Sequence, residues 1–316
     1  MKIVFMGTPD FSVNVLNGLI KNYDVSLVVT QPDKMVGRHK ELRRTPVKVV
    51  ANENNIEVFQ PVNIKEDYQK IIDMKPDMIV TCAYGQIIPK VLLDLPKYGC
   101  INVHASLLPK LRGGSPIHHA IIDGYEKTGV TIMYMVEKMD AGDIISVKET
   151  PITDDDNLET LHDRLSIIGT ELLLETIPKI VSGEINPIKQ DESEITYAWN
   201  IKREEELLDF NETTRNIFNK IRGLSPIPAT FTYLDNKILK IYSASYTDKI
   251  YNDKENGEIV NIYKDGIAIK VKDGEIILKE IQLEGKKKMK VSDFLNGIDK
   301  STLVGKILRG NIDENR

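Results

Sequence analysis

Cysteine is nearly absent. The 316 residues contain two, Cys82 and Cys100. Both lie in apolar, strand-like runs without metal-ligand spacing, which excludes a disulfide framework and a thiolate zinc site. They read as buried core thiols in a reducing compartment, and no metal is expected. Long apolar runs are missing as well, none approaching the roughly 20 residues that cross a bilayer. The opening Met1-Lys-Ile-Val-Phe-Met-Gly7 is too short for the apolar core of a secretion signal and reads as a first strand. The expectation is a cytosolic protein with no membrane partner. The turn that follows, Gly7-Thr8-Pro9, lacks the G-x-G-x-x-G pattern, which argues against a nicotinamide dinucleotide.

What is present is an ordinary globular composition, 41% hydrophobic and 28% charged. The length suits about two domains with a sizeable core. Strands are expected over 3–6, 25–30, 58–60, 78–83 and 100–103, with helices over 11–21, 46–54 and 64–75 between them. This βαβ alternation predicts an α/β domain, a Rossmann-like and mostly parallel sheet covered on both faces. Thr45 before Pro46 marks one helix start. A helix over 115–123, strands over 130–135 and 144–150, and a long helix ending near 182 extend the domain to about residue 189. Periodicity weakens over 190–205, which reads as a linker. From 206 to 316 a helix near 211–222 and five short strands predict a small antiparallel barrel. Asp265-Gly266 and Asp273-Gly274 supply its hairpin turns.

The most specific signal is Asn102-Val-His104-Ala-Ser106-Leu-Leu-Pro109-Lys-Leu-Arg112-Gly-Gly114, followed by Met139-Asp140-Ala-Gly-Asp143. Two residues apart on a strand, Asn102 and His104 project to one side. An amide N–H can hold a carbonyl oxygen as it becomes an oxyanion, and an imidazole can donate to it or move a proton. Asp140 would orient and charge-stabilise that imidazole or relay a proton through water, with Asp143 as the rival carboxylate. The three are expected at the ends of neighbouring strands. No serine or cysteine stands beside His104 as a triad requires. The set fits attack by an external nucleophile on a small carbonyl, without a covalent enzyme intermediate. His118, His119 and His162 read as structural.

These segments resemble the 10-formyltetrahydrofolate-dependent formyltransferases. Met1 to Phe11, Gln31-Pro32-Asp33, Ala83-Tyr84-Gly85, Gly129-Val-Thr131-Ile-Met133 and Tyr197-Ala198 are similar, in order and spacing, to the branch that acts on methionyl-tRNA. The resemblance implies a formyltransferase domain over 1–189, an OB-like tRNA-binding barrel over 206–316, and a monomer. It implies 10-formyltetrahydrofolate as co-substrate and initiator methionyl-tRNA as acceptor, with Asn102, His104 and Asp140 catalytic. Asp140 aligns with the first acid of the family's Asp-x-Gly segment. Tetrahydrofolate would lie against Ser106, Leu107, Leu108 and Pro109, and against Tyr84, Gln86, Ile87 and Ile88. Phe11 is a candidate wall for the methionine side chain.

Net charge is −5, but phosphate contacts are local. Between Lys34 and Lys48, six basic residues face one acid, Glu41; the tRNA-loop candidates are Arg38, Lys40, Arg43 and Arg44. A second cluster, Lys286, Lys287 and Lys288, lies in the barrel half. The chain departs from the family where an aromatic often separates the prolines of Pro226-Ile227-Pro228. Other readings are a sugar-nucleotide or phosphoribosyl-glycinamide formyltransferase, and a folate- or RNA-binding module without catalysis.

Overall fold

The computed structural model of the chain describes residues 1–36 and 41–309. They divide into two compact units. The first comprises Met1–Pro116, Lys127–Pro151 and His162–Trp199; the second comprises Ile117–Glu126, Ile152–Leu161 and the chain from Asn200 onward.

Alternating strands and helices open the chain: β1 (Lys2–Gly7), α1 (Phe11–Asn22), β2 (Asp24–Val29), the short hairpin β3 (Lys34–Val36) and β4 (Glu41–Arg43), α2 (Pro46–Glu53), and β5 (Val58–Phe59). They continue through α3 (Gln69–Met74), β6 (Met78–Cys82), α4 (Lys90–Leu93), β7 (Cys100–His104), α5 (Pro116–Ile122), β8 (Lys127–Tyr134), β9 (Ile144–Pro151) and α6 (Leu158–Ser182). Seven strands form one sheet in the order β5-β2-β1-β6-β7-β8-β9. The first five run parallel, and β8 and β9 are antiparallel additions. β6 is buried along its whole length and β1 beyond its first residue. Continuous burial is why they read as unbroken apolar runs rather than alternating ones. Cys82 and Cys100 lie within this sheet, and burial pushes both thiols up, which removes them as nucleophiles at neutral pH.

The helix expected over 64–75 is shorter, because the Ile64 N–H is taken by the Gln86 side chain at 2.8 Å and the helical turns begin only at Gln69. The basic stretch expected as a loop contains the β3–β4 hairpin, with Lys34 opposite Arg43. Residues 190–199, read as linker, belong to the first unit.

In the second unit Thr213 caps α7 (Thr214–Gly223) by accepting from the Asn216 N–H at 3.2 Å. There follow β10 (Thr230–Leu234), β11 (Lys237–Thr247), β12 (Ile259–Tyr263), β13 (Gly266–Val271), β14 (Gly274–Leu283), β15 (Met289–Lys290) and α8 (Val291–Asn296). The sheet order is β10-β11-β14-β13-β12, all antiparallel, with β15 also on β14. Its two outer edges share a third partner. Residues 305–309 bond to Gly257 and Ile259 beside β12, and to Tyr233 of β10. That segment closes the sheet into a barrel, bonding the start of β12 and Tyr233 of β10. Leu308, buried in the closing segment, packs with Ile241, Ile259, Ile269 and Leu278 inside it.

Leu308→Ala should therefore cost about 2–5 kcal/mol, read as a lower denaturation midpoint by circular dichroism. An unchanged midpoint would show that the segment does not close the barrel.

Candidate active site

The parallel strands β1, β2, β6 and β7 end at one edge of the first unit's sheet, where α/β folds gather their ligand-binding loops. Asn102 and His104 lie on β7. The Thr81 hydroxyl of β6 stands 2.8 Å from Asn102 Oδ1 and donates to it. With its oxygen held, the Asn102 amide turns its NH2 away as a donor.

His104 is buried. Its Nε2 lies 3.0 Å from the Leu111 carbonyl, an atom that can only accept, so Nε2 carries a proton. Its Nδ1 lies 3.7 Å from Asp140 Oδ1. That is too long for a hydrogen bond, but short enough for the carboxylate to act electrostatically on the ring. Among the described residues, Asp140 supplies the carboxylate within ion-pair distance of His104; Asp143 enters β9 with its carbonyl accepting from the Tyr134 N–H.

The acid arrives by a route that differs from the expected one. β8 runs antiparallel to β7, with Tyr134 opposite Ile101. The loop 135–143 therefore leaves the sheet level with the start of β7 and must return to reach His104. Asp140 adopts φ +48°, an uncommon conformation in which Asp is better tolerated than most residues. Two groups hold this turn through three hydrogen bonds. Gly113 N–H donates to Asp140 Oδ2 at 2.9 Å, and Gln190 Nε2 donates to the carbonyls of Asp140 and Gly142, each at 2.8 Å. Gln190 Oε1 accepts from Arg112 Nε at 3.0 Å and Nη2 at 2.6 Å. The Arg112 side chain is 1% exposed.

The loop carrying Arg112 is itself clamped. Leu111 N–H donates to Thr196 Oγ1 at 2.8 Å, Arg112 N–H to the Thr196 carbonyl at 2.9 Å, and Ala198 N–H back to the Arg112 carbonyl at 2.8 Å. A side chain at Gly113 would meet the Ala198 carbonyl at 2.6 Å, at a φ of +125°; only glycine fits.

The expected folate segments divide. Ser106 is buried and spends its hydroxyl on the Lys110 carbonyl at 2.7 Å. Thr131 of β8 donates to the Ser106 carbonyl at 2.7 Å and accepts from the Leu108 N–H at 3.2 Å. Leu108 is buried, Leu107 and Pro109 are partly exposed, and the Leu108–Pro109 bond is cis. Gln86 ties the loop after β6 to Ile64 and Gln31. Tyr84 and Ile88 belong to the hydrophobic core, whereas Ile87 is 65% exposed. Among the described residues the Tyr84 hydroxyl has no hydrogen-bond partner, and burial raises its phenol above the ordinary range. Phe11 is buried edge-on against His162 at 5.3 Å. His162 also faces Asp163, and His119 faces Asp123 one helical turn on.

Arg38 and Lys40 lie outside the described residues. Arg43 and Arg44 are exposed at the second strand of the hairpin. Lys48 is not available in the same way, since its ammonium bonds Asp33 and Gln60, each at 2.6 Å. Burial works against the charged form of Asp33, but hydrogen bonds from Lys48 and Gln60 hold its carboxyl below the usual range. In the barrel, Lys286 and Lys287 are exposed, while Lys288 pairs with Glu280 at 2.9 Å and lies over the Tyr242 ring at 4.5 Å.

Comparison with known proteins bears directly on this arrangement. The formyl transferase family description matches residues 1–177, and that of the formyl transferase C-terminal domain matches 200–299. The chain belongs to the formyl transferase family. It is 52% identical over 311 residues to the methionyl-tRNA formyltransferase of Geobacillus sp. (strain WCH70), covering 96% of this chain and 97% of that protein. It is 53% identical over 300 residues to the methionyl-tRNA formyltransferase of Bacillus subtilis (strain 168), covering 94% of each. Among solved structures, an N-formyltransferase from Helicobacter canadensis in complex with folinic acid and dTDP-3-aminofucose matches with a TM-score of 0.67 at 21% identity, over 88% of this chain and 98% of that one. HypX from Aquifex aeolicus in complex with tetrahydrofolic acid matches with a TM-score of 0.62 at 16% identity, over 93% of this chain and 47% of that one. At those identities the likeness is one of fold.

Thr81, Gln190 and Thr196 carry no motif in the sequence, and Thr131 appears there only within a segment of resemblance, yet all four fix the loops of this candidate site. Gln190→Ala should lower kcat by about 10-fold or more, since small misplacements of catalytic groups are costly, while the KM for the formyl donor stays near that of the wild type. A raised KM with kcat unchanged would show that Gln190 acts on binding instead.

Proposed function

We propose that this formyl transferase moves the formyl group of 10-formyltetrahydrofolate to the α-amine of initiator methionyl-tRNA, in the cytoplasm. The observation that carries the reading is the identity of 52–53% with two methionyl-tRNA formyltransferases over nearly the whole length of each protein. Such extent includes the antiparallel unit as well as the sheet that bears Asn102, His104 and Asp140. A folate donor suits the residues present. Ile87 offers an exposed apolar surface on the loop after β6. The segment Ser106–Pro109, pinned by Thr131, offers a rigid wall at the end of β7.

In this reading the amine nitrogen bonds to the formyl carbon, the carbon's bond to N10 breaks, and a proton passes from the amine to N10. Asn102 presents its NH2 to the oxygen as negative charge develops there, while Thr81 keeps the amide from rotating. Of the two ring nitrogens of His104, Nε2 is committed to the Leu111 carbonyl. Nδ1 is thus the one that faces the reaction, and Asp140 compensates positive charge on the ring. Its carboxylate, fixed by Gly113, also stands where it can accept the amine proton directly or through water.

Formylation assays with initiator methionyl-tRNA, elongator methionyl-tRNA and an amino-sugar nucleotide test the acceptor. Selective transfer to the initiator supports the reading; transfer to the sugar alone overturns it. Asn102→Ala and His104→Ala should each lose about 10²–10³ in turnover with donor binding retained. Near-normal turnover in either variant would refute that residue's role. Arg43→Ala with Arg44→Ala should weaken tRNA binding and reduce the salt slope by about one for each phosphate that the missing guanidinium had neutralised. An unchanged slope would remove the hairpin from the tRNA interface.

A further inference from the structure

The chain has one tryptophan, Trp199, and the structure leaves it 60% exposed. Its neighbour on the same side of an extended segment, Tyr197, is 43% exposed, while Ala198 between them is fully buried. The two rings are stacked, with centroids 5.1 Å apart and planes within 8° of parallel. Two large rings held parallel at a surface present a flat aromatic area that ordinary packing would cover. Their backbone is not a free loop. Tyr197 bridges to Arg112 in parallel pairing, and the bonds that clamp Thr196 and Ala198 to Leu111–Ser115 fix it there. The platform therefore stands one strand spacing, roughly 5 Å, from the loop that holds His104 through Leu111 and Asp140 through Gly113.

We propose that Tyr197 and Trp199 form a stacking platform for the terminal base of the single-stranded acceptor end of the tRNA. The inference rests on the proposed function, because it needs an aminoacylated nucleotide as acceptor. The amine to be formylated is joined to the last ribose through only a few covalent bonds, so that base must lie close to His104 and Asp140 whenever the amine reacts. The acids just before the platform, Glu192 and Glu194, pair with Lys138 at 3.5 Å and Lys110 at 3.7 Å, so what the platform itself offers is ring surface, which suits a base rather than a phosphate. Aromatic faces take any base in this way, without reading its edge.

Because no other tryptophan contributes, emission from the wild-type chain reports on Trp199 alone. Titration with deacylated initiator tRNA should quench it, and the same tRNA shortened by its terminal nucleotide should leave it close to the unbound level. In formylation assays, Trp199→Ala and Tyr197→Ala should raise the KM for methionyl-tRNA about 10-fold. Their kcat and their KM for 10-formyltetrahydrofolate should stay within about threefold of wild type, and Trp199→Phe should recover most of the loss. Equal quenching by full-length and shortened tRNA would overturn the platform, and so would an unchanged KM in Trp199→Ala. If that variant fails to fold, the two titrations of the wild-type chain still decide. Failure of the wild-type chain to formylate methionyl-tRNA at all would strike the proposed function instead.

Discussion

Holding a carboxylate beside a buried imidazole without a strand to do it is the constraint on which this site depends. Asp140 sits on a loop, at a positive φ, beside a ring that is itself out of water. Such a backbone persists only where its surroundings over-determine it. Here the carboxylate takes the Gly113 N–H, and the carbonyls of Asp140 and Gly142 share the Gln190 amide. Gln190 is in turn oriented by the guanidinium of Arg112, and the Arg112 backbone is locked to Thr196 and Ala198. Three stretches far apart in the chain, 111–115, 140–142 and 190–198, thus act as one unit. The placement of Asp140 cannot be altered without disturbing the loop that also receives the His104 Nε2 proton.

That coupling explains which parts of the site could be read from the sequence. Asn102 and His104 were legible because a two-residue period on a buried strand leaves little freedom about where side chains point. The central strands were legible because burial on both faces writes an unbroken apolar run. Gln190 was not. Its partner Arg112 is 78 positions away, and the weak periodicity around it reads as linker when no tertiary partner is in view. The hairpin of β3 and β4 was missed for the opposite reason. Residues 41–43 are all exposed, so no alternation of burial marks them as strand. Tyr84 and Ile88 lie in the hydrophobic core, a burial that an apolar side chain after a strand does not reveal from sequence by itself.

The second unit shows a similar division. Its Asp-Gly turns and alternating segments foretell antiparallel strands, and β13 and β14 pair across such a turn. Closure of the barrel depends instead on residues 305–309, which are too short to carry a period and are defined only by the two edges they bond. Closure pairs Tyr233 of β10 and the start of β12, which shortens the open strand edge left to the unit.

A chain of net charge −5 must bring a polyanion to its surface through local features. The ion pairs show how. Lys48 and Lys288 are spent on Asp33 and Glu280 within the fold, and a charge neutralised by its partner contributes little to long-range attraction. Arg43 and Arg44 remain at the surface of a hairpin that rises from the same sheet edge as Asn102 and His104. Just before Tyr197 and Trp199, Glu192 and Glu194 pair with Lys138 and Lys110. The division follows from what each part of a nucleic acid offers. Phosphate contacts act at a distance and weaken with salt, which suits capture. Stacking needs contact, is indifferent to base identity and adds no charge. It can therefore fix an end of a nucleic acid by contact alone, where capture of the rest depends on charge.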